Sequence, residues 1–396
     1  MTLDDIANTL RERNDAREPL TVKGGGTLSG MGTPSAAAPA IELKKLDRLV
    51  AHEHADLTCS VQAGMTLGSF ARALAERGQF VPLDAPNRAK ATVGGTLAAG
   101  WLGPRRHRYG KPRDLAIGSQ VVLADGTVAN AGGMVVKNVS GYDMTKLYIG
   151  SFGTLGVITR ANFKTMPLPR SRRMLLAALP ERSRDRALGQ TAQLAAQPAM
   201  AVCVEGFGKA IAGEDGIDGR ILLLFEGSAS YIERATRDAR SALGRAGVPE
   251  TYIVDAGVEQ QFERVLDACV IETGERTMMY RSLGTPGTAQ ERATLLRDAA
   301  NRHELFTDVL LDVMNGDVFV NVSDRDARAF AQKIEACDDD LRAIDPHSVI
   351  VAGRAPIRSS LDAWGKPPAA IDKMRAIKAR FDPNNILNPG RFVGGI

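Results

Sequence analysis

Three glycines at three-residue spacing, Gly150, Gly153 and Gly156, lie between apolar segments in the stretch KNVSGYDMTKLYIGSFGTLGVIT from Lys137 to Thr159. Glycine lets main-chain N–H groups approach a ligand with no Cβ in the way, and it accepts positive φ, so such a run predicts a tight cradle. Two more glycine-rich stretches precede it, KGGGTLSGMG at 23–32 and TVGGTLAAG at 92–100. All three adjoin strand-like runs.

None of the three is a familiar nucleotide fingerprint. A Rossmann loop needs G-x-G-x-x-G opening a helix, but counting from Gly24 puts Ser29 at the third glycine, and a Pro/Ala-rich stretch follows. A P-loop fails as well, because Gly110-Lys111 is followed by Pro112 and Arg105 stands at the first glycine position.

A chain of 396 residues exceeds what one core usually serves, so two domains are expected. A net charge of +4 does not mark a nucleic-acid binder, which concentrates its cations on one face or in an arm. No apolar run reaches the roughly 18 residues of a membrane span, and MTLDDIANTL lacks a basic-then-apolar leader, so a cytoplasmic protein is expected. Cys59, Cys203, Cys269 and Cys337 show no C-x-x-C spacing; they support neither an iron–sulfur nor a zinc site and are read as core residues, with no metal site expected.

Residues 1–17 read as an amphipathic helix leading to a strand at 20–22, and 58–63 alternates as a strand. Thr66 caps a helix with Leu67, Phe70, Ala71 and Leu74 on one stripe, and Asp125-Gly126 marks a hairpin. Proline punctuation at 166–170 signals a boundary. Beyond it, strands (174–179, 201–207, 220–226, and a pair joined by Asn315-Gly316) alternate with helices (184–196, 231–246, 257–271, 289–301, 324–342), which predicts an antiparallel sheet with helices on one face. The fold class is therefore α+β.

In order and spacing, the glycine segments resemble the FAD-binding domain of vanillyl-alcohol-oxidase (PCMH) type flavoproteins, within the D-2-hydroxy acid dehydrogenase and glycolate oxidase group. Leu20 to Thr27 is similar to that family's pyrophosphate loop, Thr92 to Gly100 to its second flavin loop and Gly150 to Thr159 to its third. AAGWLGPRRHRYGKPRDLAIGSQVVLADGT, GGMVVKNVSGYD and the terminal FDPNNILNPGR extend the likeness, which is weak between 170 and 374. It implies an FAD-binding domain at 1–170, a cap or substrate domain at 171–369, and a C-terminal segment, 370–396, returning to the first domain.

The resemblance also implies a set of cofactor-binding residues: Gly24, Gly25, Gly26, Thr27, Ser29, Thr92, Gly94, Gly95, Ala98, Gly150, Ser151, Gly153, Thr154, Gly156, Ile158 and Asn388, with Asn138, Tyr142 and Asp143 in a flavin-proximal segment. Each has a plainer reading. The triple glycine can be a flexible turn, 92–100 a small-residue packing site, 150–158 a glycine bulge with Ile158 as core, and Asn388 a turn residue. The basic run Pro104-Arg105-Arg106-His107-Arg108 reads either as a solvated loop or as cations serving a reduced flavin or a partner.

One departure matters. Stand-alone 2-hydroxy acid dehydrogenases of this group carry a histidine-bearing H-x-G-D-G-N-x-H hairpin in the cap, whereas Asp312-Val313-Met314-Asn315-Gly316-Asp317-Val318-Phe319 here has no histidine. The implied function is thus an FAD-dependent oxidoreductase of CH-OH groups, working as one flavin subunit of a glycolate oxidase complex. Its substrate would be a 2-hydroxy acid and its partners a second flavoprotein and an iron–sulfur subunit, through which it would meet the inner membrane. The FAD would be bound without a covalent link, since the first loop has Thr27 where covalent relatives usually place histidine. Arg281, Arg354 and Arg358 are candidate carboxylate clamps. The alternatives are a stand-alone oxidase of an alcohol or sugar, and a non-catalytic scaffold with the same fold.

Overall fold

The computed structural model describes residues 1–34, 39–134, 142–207, 211, 219–248, 250–270, 275–354 and 357–396. They form two compact units. The first is Met1–Gly103, Gly110–Leu168 and Lys366–Ile396; the second is Pro104–Tyr109 and Pro169–Gly365.

In the first unit the helix Leu3–Ala16 is closed by a capping box between Thr2 and Asp5 and buries Ile6, Ala7 and Leu10. Strands β1 (Thr21–Lys23) and β2 (Ala40–Glu42) pair in parallel. β3 (Leu49–Glu53), β4 (Thr58–Gln62), β6 (Ala116–Val122), β7 (Val128–Gly132) and β8 (Val157–Lys164) form an antiparallel sheet in the order β3-β4-β8-β6-β7. β5 (Gln79–Phe80) and β9 (Met166–Pro167) make a short pair of their own. The Asp125-Gly126 turn joins β6 to β7 with Gly126 at φ +80°, a conformation that favours glycine. Thr66 caps the helix Leu67–Ala75 through the N–H of Ser69. The C-terminal helix Ile371–Phe381 leads into residues that pair with the strand entry: the Leu20 N–H donates to Ile386 O at 2.8 Å and the Asn388 N–H to Leu20 O at 3.0 Å.

The second unit is built on an antiparallel sheet in the order β13-β10-β12-β11-β15-β16-β14-β17. Its strands are β10 (Ser171–Ala178), β11 (Met200–Glu205), β12 (Gly219–Gly227), β13 (Tyr252–Val254), β14 (Thr277–Ser282), β15 (Phe306–Asp312), β16 (Val318–Ser323) and β17 (Val349–Gly353). Leu175, Leu223, Tyr280, Leu311 and Val320 share one core with residues of the helices Ala229–Arg245, Pro286–Arg302 and Ala327–Ile344. Because side chains alternate along a strand, the neighbouring positions point to the other face. There the helix Val258–Ala268 brings Phe262 against Arg105, whose guanidinium lies 4.6 Å from the ring centroid. Helices therefore cover both faces rather than the single face expected.

The segment Pro104–Tyr109 belongs with the second unit, although 1–170 was expected to be one domain. Its side chains explain this. Arg105 pairs with the buried Glu226 at 2.9 Å and Arg106 with Asp317 at 2.7 Å. The basic run is thus largely neutralised by buried carboxylates, not a solvated loop.

Candidate functional site

In the first unit, four separated stretches converge on one cavity of about 320 Å³. Residues 21–29 and Pro34 supply one wall, Thr92, Gly95, Ala98 and Ala99 another, and Phe152, Asn388 and Arg391 the rest. Local chemistry sets this arrangement. Thr92 is the N-cap of the helix Val93–Ala99, its hydroxyl accepting from the N–H of Gly95 at 3.2 Å and from that of Gly25 at 3.4 Å. A Cβ on Gly24 would strike the Thr92 hydroxyl and one on Gly25 the Lys90 carbonyl, so the first loop needs glycine to lie against this segment.

The donor set suits an anion. Gly26 has φ +74°, and among the described residues no hydrogen bond engages the N–H of Gly26, Thr27 or Leu28. Among the described residues, the charged lining side chains are Lys23 and Arg391, with no carboxylate. Arg391 is braced by Thr33 O at 2.6 Å and Ser29 O at 2.9 Å, and its guanidinium sits 5.9 Å from the Phe152 ring centroid.

Asn388 holds the cavity together. Its Oδ1 accepts from the Val22 N–H at 2.8 Å and its Nδ2 donates to Phe152 O at 2.7 Å, so one buried amide ties β1 to the third glycine segment. Phe152 and Asn388 have φ of +56° and +45°, an uncommon conformation for residues with a Cβ.

The remaining expected residues fall elsewhere. Gly153, at φ +71°, is where a Cβ would come within 2.8 Å of Asn388 Nδ2. Gly150, Ser151 and Thr154 line a second, mainly apolar cavity of about 130 Å³ with Leu155, Met374 and Phe392. Gly94 packs on Ala63 and Gly156 on Val121, while Ile158 is a buried β8 residue paired with Val121. Tyr142 and Asp143 are exposed, and Asn138 lies outside the described residues. Val22, Leu28, Phe152 and Arg391 were not anticipated as lining. The arginine two residues beyond the Asn-Pro of the tail was the one signal that would have found any of them.

The second unit carries an ionic network on the sheet face that bears Arg105. Glu226 accepts from Arg105, from Arg172 at 2.8 Å and from the Tyr109 hydroxyl at 2.7 Å. Burial would raise its pKa, but Arg105 and Arg172 outweigh burial and hold it below the ordinary value. Asp317 takes Arg106 and, at 2.5 Å, Arg281. Asp312 is bound by Asn315 Nδ2 at 2.8 Å; burial pushes its pKa up to about 7 despite Arg106, with Asp317 adding to the rise.

The three candidate arginines differ in their surroundings. Arg281 is a buried partner of Asp317, Arg354 is exposed, and Arg358 is buried near Tyr280 and Arg342. His107 has both ring nitrogens near main-chain oxygens, Pro198 O at 2.8 Å and Pro104 O at 3.3 Å.

A cavity of glycine-loop donors with cationic lining, in a unit built on an antiparallel sheet, suits a phosphate-bearing cofactor held outside the Rossmann class. Comparison with known proteins agrees. Residues 1–132 match the family model of an FAD binding domain, and 363–392 match the C-terminal domain of FAD linked oxidases. Glycolate oxidase subunit GlcD of Bacillus subtilis (strain 168) is 28% identical over 98% of this chain and 87% of its own length. Glycolate oxidase subunit GlcE of Escherichia coli (strain K12) is 32% identical over 46% of this chain and 51% of its own. Among solved structures, p-cresol methylhydroxylase with substrate bound superposes at a TM-score of 0.71 with 16% identity, covering 98% of this chain and 87% of that one, which establishes the shared fold. The chain carries an FAD binding domain and part of an FAD linked oxidase C-terminal domain, and its cofactor is FAD.

Proposed function

We propose that this chain is the flavin subunit of a 2-hydroxy acid dehydrogenase of the glycolate oxidase kind, acting on glycolate or a close relative. The observation that carries the reading is the convergence of residues 21–29, the Thr92 helix, Phe152, Asn388 and Arg391 on one cavity that has no carboxylate among its described lining residues. FAD supplies a two-electron acceptor that passes electrons on singly. The N–H groups of Gly26, Thr27 and Leu28, with Lys23 and Arg391, are assigned to its pyrophosphate. Gly24, Gly25, Ser29, Thr92, Gly95 and Ala98 form the walls, and Asn388 fixes the loops. Non-covalent attachment is supported by the lack of histidine and cysteine among the described lining residues and by the engagement of His107 with carbonyls.

The matches to GlcD and GlcE support operation within a multi-subunit assembly, and a second flavoprotein and an iron–sulfur subunit are the partners we assign. Among the described residues no helix is long and apolar enough to cross a membrane. We place the chain in the cytoplasm, meeting the inner membrane only through those partners.

A second reading is favoured by the cap hairpin. Asp312 and Asp317 are bound by Asn315, Arg106 and Arg281, and the hairpin offers no histidine as a base. On that reading the chain binds FAD but leaves substrate oxidation to a partner. Dye-linked assays with glycolate, D-lactate and D-2-hydroxyglutarate separate the two. Turnover of any of them by the isolated chain supports the first reading, and turnover by the co-purified assembly alone supports the second.

A further inference from the structure

Lys378 lies in the C-terminal helix of the first unit, away from the cavity lining, with about 6% of its surface exposed. Its ammonium spends its three donors inside the protein: on Asp382 Oδ2 at 2.6 Å, on Leu387 O at 2.9 Å and on Thr154 O at 3.0 Å. Asp382 is fully engaged as well. Its carboxylate accepts from the Ile386 N–H at 3.0 Å and the Leu387 N–H at 2.8 Å.

Those contacts end on the residue before Asn388 and on the residue after Gly153. A buried ion pair is a poor source of stability, because desolvating two charges offsets most of their attraction. What it fixes is geometry: the Lys378 and Asp382 contacts orient the turn through Asn385 (φ +51°) to Asn388 (φ +45°) and hold the Thr154 carbonyl of the third glycine segment beside it. The Asn388 amide must span Val22 and Phe152 at the same time, and both of its hydrogen bonds depend on that placement.

We propose that the Lys378–Asp382 pair is a positioning unit for the FAD cavity, acting through Asn388. The inference rests on FAD as the cofactor and adds residues outside the cavity lining to what sets its affinity.

The test is a double-mutant cycle on FAD affinity. Apo-protein is prepared for wild type, Lys378→Met, Asn388→Ala and the combination, each is titrated with FAD by fluorescence quenching, and the apo melting temperature is recorded in parallel. Each single variant is expected to weaken FAD binding by about tenfold, corresponding to about 1.4 kcal/mol. The combination is expected to be no weaker than the worse single, because both changes remove one device.

A further variant, Lys378→Met with Asp382→Asn, removes both charges and carries the comparison if Lys378→Met alone does not fold. It is expected to bind FAD weakly even where its apo melting temperature matches wild type, a pattern that a purely structural role does not produce. The proposal is overturned by multiplying losses in the Lys378/Asn388 combination, or by wild-type FAD affinity in the charge-free variant. Failure of wild type itself to bind FAD would overturn the cofactor assignment instead.

Discussion

Replacing Gly153 with Val tests the third glycine segment where it meets Asn388. The backbone there has φ +71°, where a side chain costs about 1–2 kcal/mol. The new Cβ would also lie 2.8 Å from Asn388 Nδ2, so the amide must move. Moving it strands the Val22 N–H and the Phe152 carbonyl, at roughly 1–3 kcal/mol for each buried group left unpaired. The sum, about 3–8 kcal/mol, is comparable to the whole stability of a domain if it falls on the fold, but the second unit has its own core and is untouched. The expected outcome is therefore loss of flavin absorbance with most of the far-ultraviolet circular dichroism retained. A control in the second unit should be sterically silent. Gly206 is unsuitable, because it has φ +70° and a Cβ there would strike Asp308, whereas a Cβ on Gly189 meets nothing within 4 Å. Full flavin content in Gly153→Val, or equal loss in Gly189→Ala, would refute the reasoning.

Two further outcomes follow from buried titratable groups. Asp312 has its folded pKa raised to about 7, above the ordinary carboxylate value of 3.8, so the folded state holds a proton that the unfolded chain releases. Its contribution to stability is present below about pH 4 and is lost as pH rises through about 7. The melting temperature of wild type minus that of Asp312→Asn should accordingly fall between pH 4 and 8, and a flat difference would contradict the placement. All four cysteines are buried and their thiols are pushed up to about 12 by burial, so a thiol reagent at pH 8 should label none before unfolding. Fast labelling of any one would show that its surroundings are open.

Much of the scaffold was legible because its signals are local. Thr66 with its apolar stripe, the Asp125-Gly126 turn and the Asn315-Gly316 turn each specify a conformation within a few residues. β14 and β17 carry no alternation signal because their residues are buried on both sides, as in Thr277–Ser282, where every residue is buried. The stretch at 92–100 read as a loop but is a capped helix. Its Thr-x-x-Gly start is a cap signal that the glycines obscured. At the site, the first loop and Thr92 were readable from glycine and hydroxyl placement. Phe152 was not, because its role arises from tertiary contact with a segment more than 200 residues away, and Arg391 was marked only by its place beyond the Asn-Pro of the tail. The pairing of Arg105 and Arg106 with Glu226 and Asp317 was hidden for the same reason, since a charge run carries no mark of distant buried carboxylates.

The most direct measurement is the identity and attachment of the pigment in the purified chain. Acid precipitation followed by chromatography of the supernatant should yield FAD at close to one per chain, with a colourless pellet. FMN or no flavin in the supernatant would contradict the cavity formed by residues 21–29, Thr92, Phe152, Asn388 and Arg391 as an FAD site, and a yellow pellet would contradict the non-covalent hold assigned to it.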